Sequence, residues 1–454
     1  MAAHWLAVTY CTSSIVSAES GTKRYPTSRL QDSGTTATKL AHVPPKVAFN
    51  WAVPDHNADA FRSPWPVSRD LGDRLVSWLF SGLTRWDSQY FLHIAEHGYT
   101  YEQTLAFFPL YPWLIRQTAD GLVDPLTNVY LSRHSVLILS GVLINVSFFA
   151  VAAVALHRLT HQLFSKEHAD EAVLLFCFNP ASIFFSACYS ESVFAAVSFL
   201  GLLLLEQNRP NLATLLFCLG GLVRSNGFLS AGFLLYSGLV CGLTPVRSVF
   251  RASFCFLPFL LFQCYAWSLF CIPDYTQQFP AAILNQAAES GFRLAGRNAS
   301  KWCSNLIPFS YGYIQSHYWD VGFLMYYRLK QLPNFVLALP VIVVILHSSA
   351  SALKRCSDRR HIPYLLHVVG FLIITVLFAN VQVVTRLIAA SSPVLYWTAF
   401  FGSNRVERKF RSVVWADVAV NMWQGDIHSK RIVTYFVGYA VLGTALHVNF
   451  LPWT

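Results

Sequence analysis

Charge is scarce in this chain. Only 12% of its 454 residues are Asp, Glu, Lys or Arg, about half the roughly 25% of a soluble globular protein. Together with 54% hydrophobic residues and a mean hydropathy of +0.42, this excludes an ordinary soluble domain and marks an integral membrane protein. No Cys-x-x-Cys occurs among the ten cysteines, which removes the usual zinc and dithiol patterns. Most of them, such as Cys177, Cys218, Cys255 and Cys264, lie in apolar runs and read as small buried residues. Cys271 and Cys303 flank one long loop and can pair. There is no Walker A loop and no Gly-x-Gly-x-x-Gly opening a helix, so no soluble nucleotide-binding domain is expected. No basic segment precedes the faintly apolar start, which His4 interrupts, so it does not read as a signal peptide. Residues 1–46, rich in Ser, Thr and Ala, read as a disordered or divergent N-terminus.

Aromatics are abundant instead, at 15%, as suits a protein with many rings at membrane interfaces. The formal charge of +10 does not imply nucleic acid, because the basic residues cluster in short loops between apolar runs. A bilayer core needs about 20 apolar residues per helix. Spans are predicted at 134–156, 250–272, 335–347, 363–379, 381–401 and 432–451. Two longer apolar stretches are interrupted: 172–205 at Cys188–Ser192, and 212–243 at Arg224–Gly227. Their halves are short, as in tilted, re-entrant or shielded segments. The expectation is an all-α polytopic membrane protein with about eight to ten crossings, residues 107–115 being the weakest of them. Residues 47–133 form a first luminal region, and 134–454 form the helical bundle.

Charge assigns the sides. The loops around 158–166, at Arg209, around 247–251, at 354–360 and at 405–411 are short and basic, and one alternating path puts them all in the cytosol. The same path puts the Asp87 region, both breaks, the Arg386 end of its helix and loop 273–333 on the opposite, luminal face. That loop is itself basic, but long loops cross largely regardless of charge. It also holds Asn298-Ala299-Ser300, a glycosylation acceptor pattern.

Charges inside apolar segments are costly and usually functional. Glu191, Arg224 and Arg386 are three such residues near one face. They read either as structural ion pairs or as the lining of an aqueous cavity that holds an anion. Arginine suits phosphate, because its guanidinium fork binds bidentately. Gly227, just after Asn226, permits a tight break or a close backbone approach. The same face carries the stretch from Thr84 to Tyr99, where acids, histidines and aromatics crowd together. Trp86 and Tyr90 offer flat faces on which a sugar ring stacks. In a helix, Asp87 and Glu96 stand 2.5 turns apart and face opposite ways, so they do not form an acid–base pair. One carboxylate suffices to activate an incoming hydroxyl, and Asp87 is the candidate, with a helix cap as the plain alternative. Glu96 and His97 are candidates for orienting or binding substrate. His93 and His97 are spaced i, i+4, but no HExxH pattern or third ligand accompanies them, so no metal is expected. Without a soluble donor domain, a sugar donor comes from the membrane.

Several motifs in order carry a resemblance. They are Trp86-Asp87, Ile94-Ala95-Glu96-His97-Gly98-Tyr99, Ala106-Phe107-Phe108-Pro109, Tyr189-Ser190-Glu191 and Val223-Arg224-Ser225-Asn226-Gly227. Tyr318-Trp319-Asp320-Val321-Gly322-Phe323, Leu332-Pro333-Asn334-Phe335, Gln382–Arg386, Ser391–Trp397 and Asn449–Thr454 follow. Over about residues 48–454 the chain resembles the phosphatidylinositol-glycan class V family of the GT-C glycosyltransferase superfamily. The resemblance implies a GT-C-like multi-helix bundle in the endoplasmic reticulum membrane with its site facing the lumen. It implies transfer of mannose from dolichyl-phosphate mannose to the GPI precursor, adding the second, α1,6-linked mannose, without a cofactor. It leaves room for a small accessory membrane subunit. Asp87 matches the acid of the superfamily's first luminal loop and is the expected base. Trp86, Tyr90, Glu96, His97, Glu191, Arg224, Asn226 and Arg386 are the expected substrate-binding set. Family members begin with a membrane helix that residues 1–46 do not supply. From a different class, a transporter or lipid flippase also uses broken helices with buried charges, but no internal repeat of that kind is visible.

Overall fold

The computed structural model describes residues 60–61, 70–127, 131–240, 245–276, 278–297, 299–355, 359–401, 419, 422–449, 451 and 453. The N-terminal expectation for 1–46 and the acceptor pattern at Asn298 lie outside these residues.

The described chain is all-helical, with a single isolated β-bridge between Tyr101 and Leu294. The first helices are short: α1 (Leu71–Phe80), α2 (Asp87–His97) and α3 (Leu110–Thr118). With nine residues, α3 is far too short to cross a bilayer by itself. Next come the 31-residue α4 (Arg133–Leu163), then α5 (Lys166–Cys177), α6 (Ser182–Ser186) and α7 (Glu191–Glu206). The Ser132 hydroxyl caps α4 by accepting from the Ser135 N–H. Asp73 of α1 in turn accepts from both the N–H and the hydroxyl of Ser132, each at 2.9 Å, so α1 is tied to the start of the longest helix.

The second half comprises α8 (Pro210–Val223), α9 (Ala231–Val240), α10 (Pro245–Phe254), α11 (Leu257–Cys271), α12 (Ala281–Ser290) and α13 (Ser310–Trp319). It closes with α14 (Leu332–Arg355), α15 (Ile362–Phe378), α16 (Val384–Ser391), α17 (Val394–Phe401) and α18 (Ile427–Val448). Among the described residues, four stretches are long and apolar enough to cross a membrane: Arg133–Leu163, Pro245–Cys271, Leu329–Lys354 and Ile427–Val448. A fifth is the pair α16–α17, bent by 86° at Ser392-Pro393, where proline removes a helical N–H and its ring blocks the preceding turn. The protein is therefore a polytopic membrane protein. A count of eight to ten crossings would also need the shorter apolar helices, such as α8 and α15.

Both expected breaks are present. The first separates α6 from α7 and the second separates α8 from a 3-10 turn, Ser225–Ser230. Gly227 is needed there: a Cβ would lie 2.5 Å from the backbone of Gly220 and Gly221, inside the wall of α8. Helix α7 lies at the centre, packed against α4, α8 and α16, and its first nine residues are all buried. A break at its N-terminus therefore delivers Tyr189, Ser190 and Glu191 into the middle of the bundle.

A second, smaller core lies at one end. Ile94, Tyr99, Leu105 and Phe108 pack there with Phe262, Ala266 and Phe270 of α11 and with Trp302 and Ile314. A disulfide joins Cys271 at the end of α11 to Cys303, the pairing that the sequence allowed. The region after α2 and loop 273–333 thus form one lobe beside the membrane helices.

Candidate active site

The site begins with a strained residue. Trp86 takes φ +55°, a region that side chains disfavour and that persists where the surroundings impose it. The turn starts α2 at Asp87, whose backbone N–H donates to the Tyr189 hydroxyl at 3.1 Å. Arg386, from α16, donates to Asp87 Oδ2 at 2.7 Å. The same Nη1 lies 3.9 Å from Glu191, which also pairs closely with Arg224. Two acids and two arginines, far apart in the chain, therefore meet as one node of balanced formal charge. The guanidinium of Arg386 stands over the rings of Phe184 (5.2 Å) and Tyr189 (5.6 Å), a favourable cation–π setting.

Beside this node is a cavity of about 470 Å³, within the range of small-ligand sites. Trp86, Asp87, Phe184, Tyr189, Arg386 and His447 form one wall. Tyr318, Trp319 and Arg328 come from the lobe, and Tyr326, Asn334 and Gln382 add hydroxyl and amide groups. Those three are linked: Asn334 Nδ2 donates to the Tyr326 hydroxyl at 2.6 Å, and that hydroxyl donates to Gln382 Oε1 at 3.0 Å. Trp453 also lines the cavity and packs against Gly443 of α18, where any side chain would collide with its ring. The cavity thus joins a cationic–aromatic wall to a hydrogen-bonding one, a lining suited to a phosphorylated or sugar-bearing ligand.

The expected residues separate into groups. Asp87, Trp86 and Arg386 line the cavity. Glu191, wholly buried, and Arg224 are in the node but not in the lining. Asn226 falls in the 3-10 turn after Arg224, also outside the lining. Tyr90 is turned into aromatic packing, stacked on Phe107 at 4.6 Å, with burial and then the charge of Asp87 pushing its phenol up to about 12. Glu96 and His97 stay outside the lining. As helical geometry requires, Glu96 does not join Asp87. It sits near Arg116 and Arg133, whose charges only partly offset the burial that raises its carboxyl to about 7. His93 packs against both Phe61 and Tyr101, which also contact each other, and hydrogen-bonds the Thr100 hydroxyl at 2.7 Å. Burial first, and the nearby His97 second, lower it to about 3.

Two residues that the sequence reading passed over matter here. Glu102 is completely buried in the lobe. It accepts from Trp302 Nε1 at 2.9 Å and from the Tyr318 hydroxyl at 2.8 Å, and so holds a cavity-lining tyrosine. His447, at the end of α18, enters the cavity wall. Neither stands out in sequence, since their partners lie elsewhere in the chain; the motif Asn449–Thr454 just after His447 was the nearest signal.

Comparison with known proteins adds a separate line. A family model described as mannosyltransferase (PIG-V) matches residues 46–454. The chain is 37% identical to GPI alpha-1,6-mannosyltransferase 2 of Cricetulus griseus, over 89% of this chain and 94% of the relative. It is 36% identical to the protein of the same name from Homo sapiens, with the same coverage. It is 34% identical to GPI mannosyltransferase 2 of Drosophila melanogaster, over 92% of this chain and 98% of that one.

Proposed function

Because the chain belongs to the mannosyltransferase (PIG-V) family, we propose that it adds the second mannose of the GPI precursor, in α1,6 linkage. The donor is dolichyl-phosphate mannose, and the site faces the lumen of the endoplasmic reticulum. The observation that carries the reading is Asp87, fixed by Arg386 at the wall of a cavity whose other side bears hydroxyl and amide groups. The Cys271–Cys303 disulfide supports the sidedness, since disulfides persist in oxidising compartments.

The chemistry is one displacement. The acceptor's 6-hydroxyl oxygen attacks the anomeric carbon of the donor, and the bond from that carbon to the phosphate oxygen breaks with its electron pair. A β-linked donor then yields an α-linked product, so a single base carboxylate is enough. Asp87 takes the hydroxyl proton. Arg386 and the Tyr189 hydroxyl set its orientation, the condition for an effective base. Glu191, itself paired with Arg224, steadies Arg386 on its other side. Trp86 and Trp319 give the sugar rings flat surfaces, while Asn334, Tyr326 and Gln382 meet their hydroxyls.

The test is complementation of cells that lack their own enzyme. The chain is expected to restore surface GPI-anchored proteins, and Asp87→Ala is expected to reach normal levels yet leave the single-mannose precursor to accumulate. Build-up of any other intermediate would move the step, and full restoration by Asp87→Ala would remove Asp87 as base.

A further inference from the structure

Four residues of the cavity lining, Asn380, Arg386, His447 and Trp453, hold a buried polar side-chain atom with no hydrogen-bond partner, and Arg386 and His447 are the two that flank Phe184 and Tyr189. Arg386 Nε and His447 Nε2 are both buried without a hydrogen-bond partner, and both residues line the cavity. Buried polar nitrogens are rarely left without partners, and those that are call for an explanation. His447 is only 1% exposed, so bulk water does not serve it. Its ring meets Phe184 edge-on at 5.3 Å and lies 5.6 Å from the ring of Tyr189. These are the two rings beneath the Arg386 guanidinium. One aromatic pair therefore braces both groups on the wall that carries Asp87.

We propose that Arg386 Nε and His447 Nε2 form the seat for the phosphate of the lipid-linked donor, with His447 as a further catalytic residue. The inference rests on the transfer reaction proposed above. His447 acts as the neutral tautomer with its proton on Nε2. It donates a hydrogen bond to a phosphate oxygen and gives up no proton.

Charge bookkeeping shows why this seat favours the transition state. The donor is a phosphodiester with one negative charge, and the departing phosphate monoester gains a second as the sugar–oxygen bond breaks. Fixed donors at that oxygen bind the later state more tightly, which is how such groups accelerate a reaction. Meanwhile Asp87 becomes neutral as it takes the acceptor's proton. Arg386 loses its partner's charge at the moment the phosphate gains one. The node is balanced beforehand, with Asp87 and Glu191 against Arg224 and Arg386.

The experiment uses the purified full chain and its His447→Phe and His447→Gln variants. One readout is steady-state mannosyl transfer, and the other is protection from thermal unfolding by dolichyl phosphate. Phenylalanine keeps the ring packing and loses the donor, whereas glutamine restores an N–H near Nε2. His447→Phe is expected to lower kcat about 10²-fold, the scale for one lost oxyanion donor, with KM for the GPI acceptor unchanged. Dolichyl phosphate should protect it far less than wild type, and His447→Gln should recover most of both effects. Wild-type kcat and wild-type protection in His447→Phe would overturn the inference. If that variant does not fold, His447→Asn, too short to reach the Nε2 position, replaces it under the same criterion. A wild-type chain that dolichyl phosphate protects through His447, but that transfers no mannose, would overturn the proposed function and leave the phosphate seat standing.

Discussion

Asp87 and Glu102 lie close together in the chain and meet opposite fates. The Asp87 side chain is 27% exposed, whereas that of Glu102 is 0% exposed. Asp87 opens on a cavity, with one oxygen held by an arginine that also touches a second acid. Each oxygen of Glu102 is matched to a fixed donor, Trp302 on one side and Tyr318 on the other, with Arg293 3.9 Å away. A buried acid that is fully bonded holds structure together. An acid that faces a cavity and shares its arginine with a second acid can accept a proton. Burial alone therefore does not mark chemistry; an opening onto a cavity does.

The largest expected effect separates the two acids. Asp87→Asn keeps the volume and removes the base, so transfer per folded molecule should fall by about 10²–10⁴-fold, a loss out of proportion to any fall in melting temperature. Glu102→Ala should do the reverse. It strands the Trp302 and Tyr318 donors and should cost about 3 kcal/mol of stability, read as a lower melting temperature in detergent. The surviving folded fraction should keep most of its activity. A stable but inactive Glu102→Ala would merge the two regions into one site.

The next effect concerns the lobe that holds Glu102. Cys303→Ser opens the loop closed onto Cys271, which spans 32 residues, and should cost about 2 kcal/mol. Its melting should become insensitive to reductant, while wild type melts earlier when reduced. Equal reductant sensitivity in both would show that the disulfide does not support the lobe.

Glu96 gives the smallest effect, and it bears on the comparison directly, as an acid in neither region. Its folded carboxyl is raised to about 7 against 4.5 unfolded. Between those values the native state holds more protons, so this group's contribution falls as pH rises and is gone above about 7. His93, lowered to about 3 from 6.5, contributes the opposite slope, with stability rising up to about pH 6.5. Glu96→Gln should therefore make stability rise more steeply with pH between 4.5 and 7. Unchanged pH dependence would place Glu96 in water. If Glu96→Gln also abolished transfer, Glu96 would belong with Asp87 after all.

Much of this was legible in the sequence, and for a physical reason. Charges in apolar runs are costly, so Glu191, Arg224 and Arg386 stood out at once, and the two breaks were visible around them. Helical periodicity alone separates Asp87 from Glu96. What was not legible is the pairing. Arg386 is 299 residues from Asp87, and no local pattern says which arginine faces the cavity and which is held behind it. Glu102 is an ordinary acid in its own segment, and its donors lie 200 and 216 residues away. Tyr90, a plausible stacking platform by type, is used for packing because Phe107 lies against it.

We propose Asp87 as the base of a mannosyl transfer onto a single-mannose GPI acceptor. The direct measurement is transfer in detergent from dolichyl-phosphate mannose to that acceptor, by the chain as it stands and by Asp87→Asn. A two-mannose product, α1,6-linked, is expected from the first and a loss of at least about 10²-fold in the second. Equal rates from both proteins would contradict it.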